Sequence, residues 1–148
     1  MKWRHGGIVF DEHEIEEARK KLDKEPHKSA SRHLAVKAGL ALGFQSNREQ
    51  GILSVPDFYS DREGRDQAVR DFDKSGQAML SCASMFRLTG EKVYRDKVIE
   101  LADGWTGKIT GYGTPQAQYE ANWNLQTMVV ACELIGGRQV VELLRFLE

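Results

Sequence analysis

Residues 114–135 read Thr-Pro-Gln-Ala-Gln-Tyr-Glu-Ala-Asn-Trp-Asn-Leu-Gln-Thr-Met-Val-Val-Ala-Cys-Glu-Leu-Ile, and this stretch decides the fold class. Thr114 can cap free amide groups, and Pro115 suits the first helical position, where no backbone N–H is required. The spacing therefore predicts a helix from this point to Ile135, broken by Gly136-Gly137. At helical pitch, Ala121, Leu125, Met128, Val129 and Cys132 fall on one stripe, while Gln116, Tyr119 and Trp123 fall on the opposite one. Buried on its aliphatic face, such a helix turns an indole, a phenol and a primary amide toward a cleft or solvent. Those groups suit stacking on a sugar ring and hydrogen bonding to its hydroxyls. The plainer alternative is that Tyr119 and Trp123 pack on a neighbouring helix as half-buried aromatics.

Working outward, the same period recurs along the chain. Upstream, Gly107, Gly111 and Gly113 mark a flexible turn, preceded by a helix from Glu91 to Trp105 carrying Val93, Tyr94, Val98 and Leu101. Thr89-Gly90 ends a longer helix from Arg62 to Leu88, with Val69, Phe72, Gly76, Met79, Leu80, Ala83 and Phe86 in register. Residues 43–62 have no period, and a connection of that length inside a helical domain suits a lid. Before it, His27–Leu42 carries Ala30, Leu34, Ala38 and Ala41 on one side, with Gly43 as a stop. The first helix is expected over Asp11–Lys24, capped by Asp11, with acids in its first turn, lysines in its last and Pro26 beyond. Downstream, Arg138–Glu148 forms a short amphipathic run through Val140, Val141, Leu144 and Leu147. No stretch alternates as a strand does. The expectation is an all-α chain of six helices in three antiparallel hairpins, forming one domain over residues 1–148.

Composition narrows the function classes. Hydrophobic residues make up 41% and charged residues 29%, as in folded globular domains, and no run approaches the roughly 20 apolar residues of a membrane span. The formal net charge is −1, with lysines and arginines interleaved among acids, so neither a membrane nor a nucleic acid is an expected partner. Cys82 and Cys132 sit in apolar helical patterns, which favours two buried thiols over a disulfide. The opening Met-Lys-Trp-Arg-His-Gly-Gly lacks the apolar stretch of a secretory signal, so export through such a signal is not expected. No His/Cys/Asp cluster has metal-ligand spacing, and Gly111-Tyr-Gly113 follows a helix rather than a strand, which reads as a turn and not a phosphate loop. No metal or cofactor is expected.

Several phrases together resemble the alginate lyase-like polysaccharide lyases. They are Trp3-Arg-His-Gly-Gly-Ile-Val-Phe-Asp-Glu-His-Glu-Ile with Arg19 and Pro26-His-Lys-Ser-Ala, the run from Met79 through Thr89-Gly-Glu and Tyr94 to Trp105, and the Gln116 helix. The resemblance covers nearly all of this chain but only the N-terminal part of a typical family member. It implies an incomplete α/α toroid of which this chain supplies about half. It also implies that Gln116, Tyr119 and Trp123 line a polyuronate cleft, that Tyr59 in the lid can approach substrate, and that family members are typically periplasmic or secreted.

Cleaving a uronate chain by β-elimination requires neutralisation of the C6 carboxylate, removal of the C5 proton and protonation of the leaving oxygen. In the resembled family an Asn and an Arg serve the carboxylate, and a His and a Tyr move protons. This chain contains no Asn-His dipeptide, so no catalytic residue is assigned. His13 and His27 read as exposed, His33 as a helix-face residue, and His5 as part of the opening turn. Asn122 and Asn124 flank Trp123 and suit a hydrogen-bonding rim or an exposed helix surface. Arg65, Arg70 and Lys74 can meet a carboxylated sugar, or can pair among Asp66, Asp71 and Asp73. The expected partners are an acidic polysaccharide, alginate or another polyuronate, and further copies of the chain, since a half toroid leaves apolar helix faces uncovered. The alternative is a non-catalytic glycan-binding or assembly module.

Overall fold

The computed structural model describes residues 10–46, 51–106 and 109–136. In chain order its elements are α1 (Glu12–Arg19), α2 (His27–Leu42), β1 (Gly51–Leu53), α3 (Arg62–Thr89), α4 (Lys92–Thr106), β2 (Ile109–Tyr112) and α5 (Pro115–Leu134). The chain is mostly helical, as its apolar period implies. The sixth expected helix, residues 138–148, lies outside the described residues, as does His5.

Capping chemistry sets the helix ends. Asp11 accepts from the Glu14 amide at 2.8 Å while Glu14 accepts from the Asp11 amide at 3.0 Å, a reciprocal pair that starts α1. Asp61 accepts from the Gly64 amide at 2.9 Å at the start of α3, and Gly90, at φ 76°, turns the chain out of its end. α1 stops at Arg19 rather than Lys24. Beyond Arg19 the amides of Lys21, Leu22 and Lys24 bond to carbonyls three residues back, and Ile15 is the one buried residue of α1, so little apolar contact sustains a longer helix. What holds α1 is its polar tie to the end of α3, where Arg19 Nε donates to the Arg87 carbonyl at 2.9 Å and Arg87 pairs with Glu12.

The long helix α3 is central, with α2, α4 and α5 all packed on it. Phe72, Met79 and Cys82 of α3 meet Val98, Leu101 and Trp105 of α4 and Ala121, Leu125 and Met128 of α5 in one continuous core. Phe72 and Trp105 pack with ring centroids 4.2 Å apart. Burying a side chain of this size contributes roughly 1.5–3 kcal/mol. Gly76 lets α3 and α5 approach, since a Cβ there would lie 3.3 Å from that of Thr127. Arg65 meets Glu120, and eleven residues on Gly76 meets Thr127, so the two helices advance side by side in the same direction.

Two short strands correct the expectation of a chain without them. β1 and β2 pair in parallel, Ile52 with Gly111 and Leu53 with Tyr112, with an irregularity after Gly51. The crossover between them is α3 plus α4, as a parallel pair requires. Strands of three and four residues are too short to show alternation, and Gly111, expected in a turn, lies inside β2. Gly113 also has a specific reason: a Cβ there would lie 2.4 Å from Ser54 Oγ and 2.9 Å from Ile52 Cγ2. Its amide donates to the Leu53 carbonyl at 2.8 Å. The segment expected as a lid is thus fastened at β1, and its outward part is the turn at residues 58–60.

Candidate functional site

Thr114 joins that segment to α5. Its hydroxyl donates to the Val55 carbonyl at 2.9 Å and accepts from the amides of Val55 and Ala117, so one side chain both caps α5 and clasps the buried Val55. α5 is thereby set with its aliphatic face inward: Ala121, Leu125, Met128, Val129 and Cys132 are all buried, as the period predicts.

The outer face carries Tyr119 and Trp123, 57% and 64% exposed. Their rings lie within 25° of parallel with centroids 6.3 Å apart, forming a shared aromatic ledge one turn of helix long. Among the described residues neither ring is buried against a neighbouring helix. Asn122 is exposed beside them, and its carbonyl accepts from Gln126 Nε2 at 3.3 Å. Tyr59 is 92% exposed at the 58–60 turn, its ring edge-on to Phe58 at 5.4 Å.

Gln116 is drawn elsewhere. Its Nε2 donates at 2.7 Å to Oε1 of Glu120, a carboxylate only 1% exposed that sequence reading passes over. The same oxygen accepts from Arg65 Nε at 2.8 Å and from Arg65 Nη2, while Asn124 Nδ2 reaches Oε2 at 3.2 Å. Arg65 also donates to Asp66 at 2.9 Å, and hydrogen bonds to Asp66 and then Glu120 hold the guanidinium above its ordinary pKa. The signal for Glu120 was the four-residue spacing of Gln116, Glu120 and Asn124, a polar stripe bordered by the buried alanines 117 and 121. The partner that makes its burial tolerable stands 55 residues away, out of reach of local pattern.

Arg65 links this network to the turn. Its Cζ lies 5.6 Å from the Phe58 ring centre, and that of Arg62 lies 5.4 Å away, so two cations face the ring that supports Tyr59. The structure thus brings together Tyr119 and Trp123, attaches Gln116 to the buried network beneath them, and connects the Phe58–Tyr59 turn to that network through Arg65.

His13, His27 and His33 are exposed on α1 and α2, so none belongs to the Glu120 network. Among the described residues no group of three or more His, Cys, Asp or Glu is placed to hold a metal ion, and no helix is long and apolar enough to cross a membrane. Cys82 and Cys132 are free, buried thiols, pushed up by burial to about 11 and about 12. No protein-family model, characterised protein or solved structure matches the chain.

Proposed function

We propose that this chain is a lyase-like helical module that binds an acidic glycan, alginate or another polyuronate, along the Tyr119–Trp123 face of α5. The observation that carries this reading is the ledge itself. Two large aromatics, both more than half exposed and nearly parallel, keep apolar area in water that a core would otherwise use. A pyranose ring covers such a surface with its C–H face while Asn122 and the phenol of Tyr119 meet its hydroxyls. In this reading Tyr59 meets the same glycan from the turn that Arg65 links to Glu120.

The arrangement favours binding over turnover. Arg65 is committed to Glu120 and Asp66, which removes it as a counter-charge for a uronate carboxylate. No described imidazole is placed beside the ledge to move a proton. In this reading elimination requires residues beyond those described here or from a second copy. The same-direction course of α3 and α5, with α4 joined to α3 through Gly90-Glu91, fits successive hairpins of an incomplete α/α toroid. Exposed Val36 and Leu40, one turn apart on α2, fit self-association of that half toroid.

The test is a titration of the full chain with oligomannuronate and oligoguluronate, followed by tryptophan fluorescence and by ultraviolet absorbance of any unsaturated product. Trp123→Ala and Tyr119→Ala are each expected to weaken binding about tenfold or more, the scale of one lost stacking contact. Unchanged affinity in both variants would sink the proposal. A product signal that both variants lose would raise the module to an enzyme.

A further inference from the structure

A concave surface lies between β1 and the face of α3 that points away from Arg65 and α5. It is a groove of about 570 Å³, with Phe44, Ile52 and Ser54 in its lining from the β1 side and Arg70, Asp71 and Lys74 from α3. None of the ledge residues borders it. Its volume falls in the range of small-ligand sites.

The chemistry of its lining is uneven in a way that packing does not require. Arg70 and Lys74 stand one helical turn apart on the same face of α3, both exposed, and neither forms an ion pair among the described residues. Two like charges at that spacing repel, and Asp71, which also lines the groove, offsets only one of them, so the charged side chains of the lining sum to one positive charge. The acid between them, Asp71, accepts from Ser46 Oγ at 2.8 Å. Ile52, in the same lining, is 68% exposed, a branched apolar side chain held out on a fastened strand. Gln67 and Ser54 add amide and hydroxyl groups to the lining.

We infer that this groove is a binding site for a small anion carried on an apolar-faced ring, of saccharide size. Arg70 and Lys74 take the anionic group, Ile52 and Phe44 cover the ring, and Gln67 and Ser54 meet its hydroxyls. The site is separate from the aromatic ledge, which lies on α5, and does not depend on the ledge binding glycan. A carboxylate and a phosphate would satisfy the same cations, so the source is decided by experiment.

The experiment is isothermal titration of the full chain with three probes: a uronic acid disaccharide, a neutral disaccharide of the same size, and a hexose phosphate. At least one anionic probe is expected to bind saturably, about tenfold or more tighter than the neutral one and more weakly as salt is raised. The double variant Arg70→Gln/Lys74→Gln, both at exposed positions, is expected to lose that preference, whereas Tyr119→Ala/Trp123→Ala keeps it. Whichever anion binds more tightly names the source. The inference is overturned if neither anion binds, if the Arg70/Lys74 variant retains full affinity, or if only the ledge variant loses binding. That last result would assign the anion to the ledge, and so separates failure here from failure of the glycan reading.

Discussion

Two of the aromatic pairs, each a tryptophan beside a six-membered aromatic ring, differ in almost everything else. Phe72 and Trp105 meet at 4.2 Å with Trp105 only 1% exposed, while Tyr119 and Trp123 lie 6.3 Å apart with both rings in solvent. The first pair joins α3 to α4 and is part of the core. The second lies on one helix, joins no second element among the described residues, and leaves its apolar area available. An aromatic pair is therefore structural or available according to whether a second element covers it, and spacing along one helix does not settle which.

Truncation tests this difference most strongly. Trp105→Ala is expected to cost about 3–5 kcal/mol, because it removes a buried indole and leaves a cavity against Phe72. Trp123→Ala is expected to shift stability by no more than about 0.5 kcal/mol, as at exposed positions generally. Paired urea denaturation curves check both, and comparable losses would show that the ledge is structural after all.

A somewhat smaller effect probes the support beneath the ledge. Arg65→Met leaves the Glu120 carboxylate buried without its guanidinium and is expected to cost about 3 kcal/mol, whereas Arg65→Met combined with Glu120→Leu should recover most of that loss. If the double variant is as unstable as the single one, the pair contributes through shape and not through matched charge. Thermal unfolding of the two variants beside the parent gives the answer.

These same residues mark where sequence reading succeeds and where it stops. α2, α3, α4 and α5 fall within a residue or so of their expected bounds, because each carries several turns of apolar period and a physical stop such as Gly43 or Gly90. The inward stripe of α5 and the buried thiols were legible for the same reason. α1 was read too long, because charges in its last turn suggested an end that apolar contact does not support. β1 and β2 were invisible, since their partners are more than fifty residues apart and neither is long enough to display a period. The candidate site divides likewise. Tyr119 and Trp123 stand outward as the wheel implies, but Gln116, placed with them by angle, bends to Glu120 because a buried carboxylate gathers donors within reach. Helical angle fixes where a side chain leaves the backbone, and the nearest strong acceptor fixes where a long one ends.

The gentlest probe of the buried side is alkaline pH. Cys82 and Cys132 are held protonated by burial, at about 11 and about 12 against an ordinary value near 9. In the unfolded chain both lose their protons at lower pH, so between about pH 9 and pH 11 the folded state binds more protons and its stability falls as pH rises. Below about pH 8 the contribution of the neutral thiols is fully present. Near pH 10 each thiol is expected to have surrendered about 1 kcal/mol. Cys132→Ala lowers stability throughout but removes its share of that slope, so the variant and parent curves converge as pH rises. The ledge gives the contrasting result: Trp123→Ala deletes no titrating group and keeps the parent slope. Parallel curves for Cys132→Ala and the parent would mean that the thiol is reached by water in the folded state, and that this side of α5 is less closed than its packing implies.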